Sequence, residues 1–167
     1  MTEKQRTILL VFFDFLTAAI TWFLFYVYRI TSIEKAELTF KEGFFLGILI
    51  VPFFWMFLYA LQGTYHNVLR NYRLKTIKYT LFGTSIGVII VFFSVLLNDF
   101  EHLHLYQQYY KLFFALFILH FTITLLPRLI MTTIHVKRIH SGKFGFKTII
   151  IGGSSKAVEI LKEIREL

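Results

Sequence analysis

Apolar side chains in this chain fall into four long blocks, separated by short polar and mostly charged segments. The blocks run from Thr7 to Tyr28, Phe44 to Leu61, Ile77 to Leu97 and Leu112 to Met131. A helix needs about 20 consecutive apolar residues to cross the hydrocarbon core of a bilayer. Each block is too long for a buried strand, and none has the charged face of a surface helix. The pattern predicts an all-α membrane protein: a bundle of four transmembrane helices. Apart from Lys78 at the edge of the third block, only Asp14 in the first block, and His120 and Arg128 in the fourth, interrupt the blocks with strongly polar side chains.

Charge then sets an expected orientation. Lys4 and Arg6 precede the first block, and the second connection carries Arg70, Arg73, Lys75 and Lys78 without an acid. Lys137, Arg138, Lys143 and Lys147 follow the fourth block, again without an acid. The first connection is mixed, and the third, Asn98 to Gln108, has Asp99 and Glu101 but no Lys or Arg. Lys and Arg favour the cytoplasmic side, so both termini and the second connection are expected there. Four crossings demand the same result. The first block is too long for a cleaved leader and ends in Phe25, Tyr26 and Tyr28, so it reads as an uncleaved signal anchor. Trp22, Tyr26, Tyr28, Tyr59, Tyr79, Tyr109 and Tyr110 lie near block ends and read as interfacial aromatics.

Composition narrows the class. Hydrophobic residues make up 56% of the chain and aromatics 19%, more than a soluble domain of this size hides. The net charge of +8 lies between the apolar blocks, which suits anionic headgroups and argues against nucleic acid as a partner. The absence of cysteine excludes disulfides, thiolate nucleophiles and Cys-ligated metal.

The character changes after the fourth block. A transmembrane domain over residues 1–135 gives way to a basic linker, 136–146, and then to residues 147–167. There, Lys147-Thr148-Ile149-Ile150-Ile151 reads as a short buried strand and Gly152-Gly153-Ser154-Ser155 as a turn. Val158, Ile160, Leu161 and Ile164 then recur at helical spacing. This is the first βα unit of a Rossmann-like domain. Of a G-x-G-x-x-G fingerprint only Gly152 is present, with Ser154 and Ala157 in the later glycine places. Gly152, Gly153, Ser154 and Ser155 are therefore candidates for holding one phosphate at a helix N-terminus, or simply a tight turn. One βα unit cannot form a sheet, so the expectation is either the N-terminal part of a longer protein or a truncated gene product.

Other polar residues suggest roles. Asp14 and Arg128 both lie toward the cytoplasmic side of antiparallel helices, and the expectation is a structural ion pair inside the bundle. His120 is expected to hydrogen-bond to a neighbouring helix. Tyr65, Leu69 and Tyr72 share a helical face beside Arg70 and Arg73, so Tyr65 to Lys78 reads either as an interfacial helix on anionic lipid or as plain cytoplasmic charge bias. Gly83 and Gly87 are four apart, a spacing that brings membrane helices close within the chain or in a homo-oligomer. His102 and His104 flank Leu103 beside Glu101 but read as solvated rather than metal-binding, and no metal site is expected here.

The order of parts resembles the N-terminal region of bacterial polyprenyl-phosphate sugar-1-phosphate transferases, the exopolysaccharide-type polyprenyl glycosylphosphotransferases. The resemblance rests on Asp14, on Leu58-Tyr59-Ala60-Leu61-Gln62-Gly63-Thr64-Tyr65, and on Arg70-Asn71-Tyr72-Arg73-Leu74-Lys75. It continues in Leu125-Leu126-Pro127-Arg128-Leu129-Ile130 and in Phe146-Lys147-Thr148-Ile149-Ile150-Ile151-Gly152-Gly153. The family often has Gly-Leu-Tyr-Arg after its second helix, where this chain has Gly63-Thr64-Tyr65-His66. The resemblance implies an inner-membrane protein whose substrates are a nucleotide sugar and a polyprenyl phosphate. It also implies Mg2+ in a C-terminal catalytic domain. No catalytic residue carries over to these 167 residues, which alone are expected to be inactive. Membrane-bound sugar-nucleotide dehydratases or epimerases begin with the same parts and are the alternative enzyme. A stand-alone membrane anchor or assembly subunit is the alternative from another class.

Overall fold

In the computed structural model, residues 3–40, 42–66, 68, 71–96, 106–141 and 155–166 are described. The order is α1 (Glu3–Tyr28), a π-helical extension (Arg29–Glu34), α2 (Glu42–Leu61), α3 (Arg73–Val91), a π-helical extension (Phe92–Leu96), α4 (Tyr106–His140) and α5 (Ser155–Glu166). Every described element is helical. Four of the helices are long and apolar enough to span a membrane. In hydrocarbon each backbone N–H and C=O must find its partner within the chain, and a continuous helix meets that demand.

The helices run past the apolar blocks. The 20 residues of α2 span about 30 Å at 1.5 Å per residue, one hydrocarbon thickness. The 35 residues of α4 reach about 52 Å, so α4 outruns the core. Its helix continues to His140 through residues assigned above to a linker, because Lys137 and Arg138 are good helix formers and nothing between Val136 and His140 stops a ladder once it is started. Residues 142–146 and the expected strand 147–151 lie outside the described residues.

The chain divides into two compact units, 1–136 and 137–167. The first keeps an aromatic and aliphatic core but also exposes large apolar side chains and buries charged and polar ones. Phe12, Phe45, Phe53, Phe57, Phe82 and Phe114 are exposed, while Asp14, Thr80, Thr84, His120, Thr124 and Arg128 are buried. That is the arrangement lipid selects, since apolar side chains lose nothing by facing acyl tails and polar ones must find partners inside. Glycines let bulky rings into the core. A methyl on Gly87 would collide with the Trp55 ring, and one on Gly47 with the Trp22 ring. A methyl on Gly83 would sit 2.8 Å from Tyr59. The Gly83/Gly87 pair thus serves packing of α3 on α2 within the chain.

Trp22, Tyr26 and Tyr59, assigned above to the membrane interface, are instead buried in the bundle. Position near a block end does not distinguish a ring turned to headgroups from one turned to a neighbouring helix. Tyr79 and Tyr110 do face outward. In the second unit, α5 exposes Val158, Ile160 and Ile164.

Candidate functional site

Tyr65 reaches the core because of how α2 ends. Gly63 adopts φ +70°, a left-handed conformation that costs glycine little. Its N–H bonds to the Ala60 carbonyl at 2.9 Å and the Thr64 N–H to the Tyr59 carbonyl at 3.0 Å. This is a Schellman stop, which satisfies the last carbonyls of the helix and reverses the chain. Tyr65 is carried back over the bundle, where its hydroxyl donates to Asp14 Oδ2 at 3.0 Å. The segment Tyr65 to Lys78 is therefore not one interfacial helix. Tyr65 points inward, the Asn71 N–H turns back to the Val68 carbonyl at 3.4 Å, Tyr72 is extended, and α3 begins only at Arg73. Arg73 and Lys78 are exposed and Lys75 lies 5.6 Å over the Tyr79 ring, while Arg70 lies outside the described residues.

Asp14 and Arg128 meet. Arg128 Nε donates to Asp14 Oδ1 at 2.8 Å and Nη2 to Oδ2 at 2.6 Å, a bidentate pair between α1 and α4. Nη1 donates to Thr80 Oγ1 on α3 at 3.1 Å. The guanidinium lies 3.9 Å over the Tyr59 ring of α2. Four helices thus converge on one charge, and the side chains of the pair are only 2% and 0% exposed. Burial and the neighbouring Asp14 carboxylate push the Tyr65 hydroxyl well above the ordinary tyrosine range, so it stays a donor. Thr17 turns its hydroxyl to the Asp14 carbonyl at 3.1 Å.

About two turns from Arg128 along α4, His120 is fully buried. Its Nε2 shares a 2.9 Å hydrogen bond with the Tyr59 hydroxyl, and its ring stacks on Trp55 with centroids 3.6 Å apart. The Tyr59 side chain therefore links the two polar centres, its ring under Arg128 and its hydroxyl on His120. Thr76 and Thr132 hydroxyls bridge α3 and α4 at 3.1 Å.

Sequence reasoning paired Asp14 with Arg128 and sent His120 to a neighbouring helix. It missed Tyr59, Tyr65, Thr80 and Trp55 as their partners. The signals were faint: a glycine two residues before Tyr65, and Thr80 and Thr84 in step with Gly83 and Gly87 on α3. His135, near the end of α4, is also buried. Of the phosphate candidates, Ser155 opens α5 and is exposed, while Gly152, Gly153 and Ser154 lie outside the described residues, as do His102 and His104.

Among the described residues no three His, Asp or Glu side chains gather in a metal-binding group. Every charged atom of the Asp14–Arg128 centre is engaged by the protein itself, so its chemistry is that of a lock between helices rather than of an open binding site. Comparison with known protein families, with curated proteins and with solved structures finds no match to this chain.

Proposed function

We propose that this chain is the membrane-anchoring N-terminal region of a sugar-1-phosphate transferase, one that loads a polyprenyl phosphate in bacterial exopolysaccharide, capsule or O-antigen assembly. One observation supports the reading above others: segments that carry the resemblance, far apart in the chain, supply the same buried centre. Asp14 comes from α1, Tyr59 and Tyr65 from the exit of α2, and Arg128 from the Leu-Pro-Arg-Leu-Ile run of α4. A set of residues that jointly locks four helices suits a rigid platform in the inner membrane.

The basic residues Lys4, Arg73, Lys75 and Lys78 then lie at the cytoplasmic face, against anionic headgroups. The exposed Val158, Ile160 and Ile164 of α5 suit a helix that packs on a sheet, which favours residues 147–167 as the opening of a Rossmann-like domain. A membrane-bound sugar-nucleotide dehydratase uses the same platform and differs only in what the platform carries.

In the proposed reaction an oxygen of the polyprenyl phosphate attacks the sugar-bearing phosphorus of the nucleotide sugar. The new phosphoanhydride forms as the nucleoside monophosphate leaves. The magnesium chemistry belongs to the catalytic domain that the resemblance implies, and the present residues hold that domain at the inner leaflet.

The test uses membranes from cells expressing the full reading frame, supplied with labelled nucleotide sugars, polyprenyl phosphate and Mg2+. Release of nucleoside monophosphate together with an organic-soluble labelled diphosphate is the expected result. Conversion of the free nucleotide sugar to a keto sugar identifies the dehydratase, and no turnover of any nucleotide sugar leaves an anchor or assembly subunit. Either result overturns the proposal.

A further inference from the structure

The middle of the bundle has more hydrogen-bonding capacity than its protein groups use. Four polar side chains from three helices cluster there: Tyr59, Thr84, Thr124 and His120. The Thr84 and Thr124 hydroxyls face the Tyr59 hydroxyl, and Tyr59 and Thr124 both approach His120 Nε2, at 2.9 and 3.4 Å. His120, Thr84 and Thr124 are fully buried. Yet His120 Nδ1 has no hydrogen-bond partner among the described residues, and Thr84 Oγ1 has none beyond this approach to Tyr59.

The deficit at Nδ1 does not depend on the tautomer. If Tyr59 donates to Nε2, the imidazole proton sits on Nδ1 and lacks an acceptor. If Nε2 donates to Tyr59, Nδ1 is a lone pair that lacks a donor. The ring cannot swing to find one. It is held by stacking on Trp55, itself seated where Gly87 leaves no Cβ. Thr84 also forgoes the usual remedy of membrane-helix hydroxyls, a bond to the carbonyl one turn back, which Ser85 makes to Leu81 at 2.9 Å.

His120 is eight residues from Arg128, about 12 Å along the helix, and eight from Leu112, the start of the apolar block. The site is near the bilayer midplane, where no bulk water competes. A buried water makes two to four hydrogen bonds to such groups and is as much part of a fold as a side chain.

We infer that the four-helix core binds an ordered water molecule at His120 Nδ1 and the Thr84 hydroxyl. Its oxygen and two protons supply both the donor and the acceptor that the cluster needs in either tautomer. The polar interior then runs unbroken from Tyr65 at the α2 exit, through Asp14, Arg128 and Tyr59, to a hydrated His120 in mid-membrane.

The test is magic-angle-spinning NMR on the full chain in phospholipid bilayers, with histidine nitrogens labelled and polarisation passed from water protons. His120, assigned by loss of its signals in His120→Phe, should show transfer to Nδ1 at short mixing times, as exposed His66 does. No transfer to His120 while His66 responds overturns the inference. Thr84→Val, nearly isosteric, provides a second reading. If the hydroxyl holds water, the variant melts several degrees lower and the His120 transfer weakens. An unchanged or raised melting temperature means the hydroxyl held nothing, and likewise overturns it.

Discussion

Asp14→Ala leaves the Arg128 guanidinium in the bundle with only the Thr80 hydroxyl and the Tyr59 ring as partners, and it also takes the acceptor from Tyr65. Arg128→Ala leaves the Asp14 carboxylate with the Tyr65 hydroxyl alone. Orphaning one member of a buried pair costs about 3–5 kcal/mol, and a lone charge at the centre of a membrane helix costs about 3 kcal/mol on insertion scales. Each single variant should therefore lose about 3–5 kcal/mol. The double variant leaves no charge to solvate and loses mainly packing, so it should also lose about 3–5 kcal/mol rather than the sum, a coupling of about 3–5 kcal/mol. Equilibrium unfolding of the wild type, both singles and the double in one detergent measures this directly. Side chains only 2% and 0% exposed are beyond the reach of counterions, so the coupling should change little between low and high salt. Additivity within about 0.5 kcal/mol would refute the reasoning, because it would mean that the two charges do not sense one another.

Tyr65→Phe should cost about 1.5–3 kcal/mol, the range for a hydrogen bond to a charged group, measured by the same unfolding. Because the Tyr65 pKa is raised in the folded chain, its contribution is complete below the ordinary value of 10.0 and declines as pH rises above it. The stability gap between wild type and Tyr65→Phe should therefore narrow above that pH, and a constant gap would sink the assignment. Gly87→Ala should destabilise by about 1–3 kcal/mol through its clash with Trp55, whereas Gly43→Ala, with open space around it, should be neutral or slightly stabilising. Single cysteines at Ser32 and His104 should react with an impermeant thiol reagent in intact cells, and those at Asn71 and Ser141 should not. Labelling at Asn71 would reverse the topology.

The number and rough position of the membrane helices were legible in the sequence, because hydrocarbon tolerates only backbones that satisfy themselves and an apolar block of about 20 residues has one way to do so. The meeting of Asp14 and Arg128 was legible for a related reason. Two opposite charges at similar depth on antiparallel helices have few better partners than each other. Helix ends were less so, since polar helix formers such as Lys137 and Arg138 extend α4 without any change in apolar pattern. What only the tertiary structure decided was which faces touch. Trp22, Tyr26 and Tyr59 went to the core and Phe12, Phe57 and Phe82 to lipid, though all are large and aromatic. Tyr65 turned inward on a reversal made by Gly63, and Tyr59 joined Arg128 to His120. In water, burial would sort such side chains by hydrophobicity. In lipid both environments are apolar, and the choice falls to shape, to the glycines that admit a ring, and to hydrogen bonds between residues that no spacing in the sequence connects.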